Sequence, residues 1–145
     1  MGNLHRKKRK ERGRARRKAE KAWEAVEHSR VGEAEKLIRH AIKEREGDSV
    51  LWNDLGLILW KEDKLREAER AFRTALLLRP QYEEGKMNLA SLLASRSFYR
   101  QALKLEAELA ESAQHKEFHR KRVEEYRAAA EKLEAERCSE EIGQD

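Results

Sequence analysis

The chain has 145 residues, of which 42% are charged and only 6% aromatic, and its formal net charge is +5. That length fits one domain; one proline and seven glycines are few for a β protein with many turns, and the dominant Glu, Lys, Arg, Ala and Leu are the composition of long helices. A single cysteine, Cys138, excludes an internal disulfide, and the longest apolar run, Leu55 to Trp60, is far short of the roughly 20 residues a membrane span requires. The charged N-terminus is followed by no apolar stretch, which argues against a secretory leader and makes the cytoplasm the expected compartment.

The chain opens on a basic arm, residues 1–14. From His5 to Lys21 eleven Lys and Arg stand against only Glu11 and Glu20, a local balance of +9 on a body that is otherwise −4. Gly13 is expected to separate a disordered segment from a helix that begins near Arg14. Arg6, Lys7, Lys8, Arg9, Lys10, Arg12, Arg14, Arg16, Arg17 and Lys18 are dense enough to attract phosphates by counterion release. Nucleic acid or a ribosome is therefore one candidate partner. Nuclear import or an acidic protein is another, and a solvated tail that binds nothing is the third. No aromatic residue interleaves the cations, so base stacking and sequence-specific reading are not supplied.

Beyond the arm, apolar residues recur at helical spacing. Trp52, Leu55 and Leu59, then Leu65, Ala68, Phe72, Ala75 and Leu76, step by three and four. Lys61-Glu62-Asp63-Lys64 between them reads as a turn joining two helices, and Pro80 closes the unit because it cannot continue a helix without losing a hydrogen bond. A shift of 34 residues finds the neighbours such a pair needs to bury its faces. Gly56 falls on Ala22 and Ala90, Ala68 on Ala34 and Ala102, Leu65 on Val31 and Tyr99, and Leu59 on Ala25 and Leu93. Small residues are expected where paired helices cross.

Trp52-x-x-Leu55-Gly56-x-x-Leu59, Ala68-x-x-x-Phe72-x-x-Ala75 and Pro80 together resemble the tetratricopeptide repeat. The one departure in this unit is Leu59, where the family usually has Tyr. The flanking units match less well: Lys18 and Lys21 replace large apolar residues in the first, and Glu106 stands in the third where Phe72 stands in the second. The expected architecture is an all-α solenoid of three helix pairs, residues 15–48, 49–82 and 83–116. A capping helix over 117–138 follows, with Phe118, Val123, Tyr126, Ala129, Ala130 and Leu133 as its apolar stripe, and then an unordered tail, 139–145.

The resemblance implies that the first helix of each pair lines a concave groove taking a partner peptide or helix, and hence a scaffold or adaptor. Trp23 and Val26 would face that groove from the first unit, Asn53, Leu57, Trp60 and Lys61 from the second, and Met87 and Ser91 from the third. Trp23, Leu57, Trp60 and Met87 would form its apolar floor. Some members of the family grip a chaperone's C-terminal carboxylate with Lys, Asn and Arg. The corresponding residues here are Ala19, Trp23, Asp54, Glu84 and Asn88, none of them a cation, and Asp54 and Glu84 would repel a carboxylate.

Catalysis finds no support. His115 and His119 stand four apart, as in a zinc-binding helix, yet the spacing supplies no third ligand, so they read as helix-surface histidines. Cys138 has no activating partner in sequence, and phosphate-binding glycine loops and nucleophile elbows are absent. No cofactor and no metal are expected.

Overall fold

A computed structural model describes residues 2–112 and 114–143. Among them run seven helices and no strand: α1 Gly2–Glu27, α2 Val31–Glu44, α3 Ser49–Lys61, α4 Leu65–Leu78, α5 Glu83–Ser95, α6 Tyr99–Ser112 and α7 Lys116–Gly143. They fall into two compact units, Met1–Tyr82 and Glu83–Asp145. In the first, α1 packs on α2, α2 on α3 and α3 on α4. In the second, α6 packs on both α5 and α7.

The 34-residue period reappears as geometry. Val31, Leu65 and Tyr99 each begin the second helix of a pair. Just before them, Ser29, Asp63 and Ser97 adopt left-handed φ values of 60°, 60° and 62°. The left-handed residue reverses the chain so that the N–H groups of Arg30, Lys64 and Phe98 reach back to the carbonyls of Ala25, Leu59 and Leu93, at 2.8, 3.0 and 2.9 Å. Carbonyls left open at the first helix's end are thereby satisfied, with a short polar residue at the strained position.

Small residues sit where the sequence puts them. Ala22, Gly56 and Ala90 are buried, as are Ala34, Ala68 and Ala102. At Gly56 the fit leaves no room for a side chain, since a Cβ there would meet the Phe72 ring at 2.5 Å. The next periodic position holds Ile38, Phe72 and Glu106, each with 0% exposure.

Three expectations are corrected. The basic arm is not disordered: α1 runs unbroken from Gly2 through Gly13. Lys and Arg are good helix formers, since straight side chains lose little freedom in a helix, and one Gly costs only about 1 kcal/mol. Residues 139–143 of the expected unordered tail are likewise helical, because α7 continues to Gly143 with the good helix formers Glu140 and Glu141 in its last turn, while 144–145 lie outside the described residues. The stripe on α7 is also displaced. Phe118 is half exposed, whereas His119 and Ala130 are buried, with Val123, Tyr126 and Leu133 partly so.

Candidate functional site

Within the first unit, Trp23, Val26, Leu57 and Trp60 are each partly buried and Lys61 is exposed. Trp60 packs edge-on against Phe72, ring centroids 6.4 Å apart, so part of its surface belongs to the α3–α4 core. Asn53 has 0% exposure and offers no surface to a ligand. Its expected place in an open groove is corrected. In the second unit Met87 and Ser91 are partly buried, and Arg122 of α7 donates a hydrogen bond to Ser91 Oγ at 2.9 Å. α7 therefore already occupies the polar atom Ser91 would have offered.

A cleft of about 530 Å³ opens between the middle of α1 and the start of α3. Arg9, Arg12 and Arg16 rim it from α1 and Arg45 from the turn before α3, while Ala19, Val50 and Leu51 give it an apolar floor. Asp48 and Asp54 also line it. Asp48 caps α3 by accepting from the Val50 N–H at 3.0 Å, and its other oxygen holds Arg45 at 2.7 Å. The side chain that starts the helix thus also positions a guanidinium at the cleft mouth. Four arginines outweigh two aspartates there, so the repulsion expected of Asp54 does not set the sign of the cleft. Arg45, Val50 and Leu51 had no signal in the groove pattern, because they come from a turn and a helix start.

The second unit buries a charged cluster that the sequence marked only through Glu106 standing at an apolar position. His119 Nδ1 donates to Glu106 Oε2 at 2.7 Å, with side-chain exposures of 2% and 0%. Arg122 Nε lies 2.8 Å from the other carboxylate oxygen, as an ion pair without hydrogen-bond alignment. The Arg122 guanidinium also donates to the Tyr126 hydroxyl. His119 is therefore no surface histidine, and His115 lies in the turn before α7. A buried carboxylate is costly unless paired, and here its partners fasten α7 to α6.

A second cluster joins α2 to the α3–α4 turn. Glu35 accepts from Lys64 at 2.6 Å and from Arg39 at 2.7 Å. Burial pushes the Glu35 carboxyl up, but these bonds and one with Glu62 overcome it and hold it at about 2. Glu62 is raised by burial and by the Glu35 carboxylate beside it. Two carboxyls pushed apart in this way are a pattern of acid–base sites. Here both are committed to Lys64, which holds Glu62 as well, at 3.2 Å. The arrangement is a tie between helices.

Of the basic residues, Lys18 is half-buried and bonded to Glu44 at 2.5 Å, and Arg16 is paired with Glu20 at 2.9 Å. Arg6, Lys7, Lys8, Arg9, Lys10, Arg12, Arg14 and Arg17 are exposed. No group of three or more potential metal ligands gathers among the described residues, and no described helix is long and apolar enough to cross a membrane.

Residues 50–82 match the family model of the tetratricopeptide repeat. No curated protein matches the sequence. Among solved structures, the first such domain of Spaghetti (RPAP3), bound to the HSP90 peptide SRMEEVD, is 16% identical with a TM-score of 0.72, covering 83% of this chain and 94% of its own. The second domain of human RPAP3, in complex with the HSP70 peptide SGPTIEEVD, is 12% identical with a TM-score of 0.71, covering 81% and 98%. The corresponding domain of Arabidopsis OM64 is 16% identical with a TM-score of 0.69, covering 80% and 98%. With left-handed turns 34 residues apart, a repeat model on its second helix pair and this shared fold, the chain carries a tetratricopeptide repeat over residues 50–82 and has the fold of tetratricopeptide-repeat domains.

Proposed function

We propose that the chain is a non-catalytic scaffold whose first unit binds a peptide segment along α1 and α3, the segment carrying apolar and acidic side chains together. The observation that carries this reading is the cleft of about 530 Å³ with an apolar floor and an arginine rim. Ala19, Val50 and Leu51 favour an apolar side chain through the area removed from water. Arg9 and Arg12 take part in no ion pair among the described residues, so they are available to carboxylates in bidentate geometry. Two proteins of this fold are bound to peptides ending in Glu-Glu-Val-Asp. Ala19, Trp23, Asp54, Glu84 and Asn88 supply no cation for a terminal carboxylate, so internal acidic side chains are the better match. Trp23, Leu57 and Trp60 extend the surface available to the same segment, with Lys61 exposed at the end of α3.

The test is selection from a random peptide library on the full chain, followed by titration. Enriched peptides should pair acidic with apolar residues. Val50→Asp places a charge on the apolar floor of the cleft, at a residue 42% exposed. It should weaken binding at least tenfold with an unchanged melting curve, a loss of about 1.4 kcal/mol or more. An unaltered affinity, or no enrichment, would show that the cleft is not the site. Trp60→Ala in the same titration measures how far the surface extends, with helix content followed because Trp60 also supports Phe72.

A further inference from the structure

We propose that the N-terminal half of α1 is a docking helix for duplex DNA, held by phosphate contacts without base reading. This surface borders the peptide cleft and shares Arg9 and Gly13 with it, but the proposal does not depend on peptide binding there. Arg6, Arg9, Lys10, Arg14 and Arg17, with Gly13 among them, line a shallow hollow of about 540 Å³. Arg6, Lys10, Arg14 and Arg17 follow one another at the three- and four-residue steps that keep side chains on one helix face, and Arg9 lies three residues from Arg6 at its edge. From Arg6 to Arg17 the stripe rises about 16 Å along the axis. None of the five takes part in an ion pair among the described residues.

Three observations choose the partner. Residues 2–10 are all exposed, and their one large apolar side chain, Leu4, is 60% exposed. A protein partner would find no apolar surface to bury, and docking must be electrostatic. The cations are not confined to the stripe either, since Lys7, Lys8, Arg12 and Arg16 occupy the remaining faces of the same turns. A flat anionic surface uses one side of a helix. The major groove of B-DNA, about 12 Å wide, admits a helix and presents phosphates on both sides of it. Finally, no aromatic side chain precedes Trp23 except the imidazole of His5, so single-stranded bases have nothing to stack on.

The helix also carries its own reason to bind. Arg6 and Lys10, Lys10 and Arg14, Arg6 and Arg9, and Arg14 and Arg17 are like charges one turn apart, which oppose the helix when no counter-charge is near. A polyanion in the groove removes that opposition, so binding and helix formation in this half of α1 should reinforce each other.

The experiment is fluorescence anisotropy of a labelled duplex of about 20 base pairs with the full chain across a salt series. Expected is sequence-insensitive binding whose affinity falls steeply with salt. A quadruple variant, Arg6→Gln, Lys10→Gln, Arg14→Gln and Arg17→Gln, leaves Arg9, Arg12 and Arg16 in place for the cleft. Four lost phosphate contacts should flatten the salt slope by about 3 to 4 and weaken binding at least tenfold at about 0.1 M salt. Arg6→Lys, Arg14→Lys and Arg17→Lys together keep the charge and should keep the affinity, which separates charge loss from misfolding. Duplex RNA, whose major groove is too deep and narrow for a helix, should bind more weakly. The proposal is overturned if the quadruple variant binds as the parent does, if duplex RNA binds equally well, or if poly-glutamate competes as effectively as DNA. That last result would assign the stripe to acidic proteins.

Discussion

Gly56 shows how a single atom decides a helix crossing. Its missing Cβ is what lets the Phe72 ring lie against the α3 backbone. Ala at an ordinary helix position gains about 1 kcal/mol over Gly. Here the added methyl meets the ring at 2.5 Å, and overpacking of a filled core costs about 1–3 kcal/mol. Gly56→Ala should therefore lower the melting temperature in spite of its better propensity, and Gly56→Leu should lower it further. Gly13→Ala is the control: its Cβ would meet only the end of Arg17, at 3.8 Å, so the melt should hold or rise. A Gly56→Ala melt equal to that of the parent would show that the ring is free to move aside. Glu106 presents the opposite problem, a charge at a position where Ile38 and Phe72 are equally buried. Removing one member of a buried ion pair costs about 3–5 kcal/mol because the partner is left uncompensated. Glu106→Ala should lose that much in urea unfolding. Glu106→Leu combined with His119→Leu should recover most of it, since apolar packing removes the need for the pair. If the double variant is as unstable as the single one, the cluster does more than neutralise itself.

Between elements, turns and ties carry the specificity. Ser29, Asp63 and Ser97 accept left-handed backbone to turn each pair, and the Glu35–Lys64 bond at 2.6 Å fixes α2 against the start of α4. That tie makes stability depend on pH. The folded Glu35 carboxyl sits at about 2 against an ordinary 4.5, so its contribution is complete above about pH 4.5 and is lost as pH falls toward about 2. Glu62 is raised and acts with the opposite sign, losing stability as pH rises through its own titration. Glu35→Gln should therefore be less stable than the parent at neutral pH by on the order of 1 kcal/mol, the modest value expected of a solvent-screened tie. That difference should vanish between about pH 4.5 and about pH 2, as read from urea midpoints. A gap independent of pH would mean that the carboxylate charge contributes nothing.

Across the whole chain, charge and burial are divided by region. The most basic segment is the exposed first half of α1, and the helical C-terminus is exposed throughout residues 134–143. Between them each unit keeps its own core, and in the second unit α7 completes it. Truncation after Gln114 removes His119 and Arg122, the two partners of the fully buried Glu106. The shortened protein should lose more helix by circular dichroism than the deleted residues account for, or should aggregate. A monomer of unchanged stability would show that α7 is an independent arm.

What could be read along the chain was whatever repeats at short range. The three- and four-residue steps gave the helices, the 34-residue shift gave their pairing, and small residues at Ala22, Gly56 and Ala90 gave the crossings, because each depends on neighbours within one or two turns or on a copied position. Trp23, Leu57 and Trp60 were legible as large apolar residues on first helices. Asn53 was misplaced because the pattern states which face a residue occupies and not what covers it. Only the tertiary structure decided the rest. Glu106 is a core residue because His119 and Arg122, 13 and 16 residues further along, reach it from another helix. The cleft exists because Arg9, Arg12 and Arg16 meet Arg45, Val50 and Leu51 across a gap of about 30 residues of chain. Such meetings follow from packing between elements, whose free energy is set by what is buried together and leaves no period in the sequence.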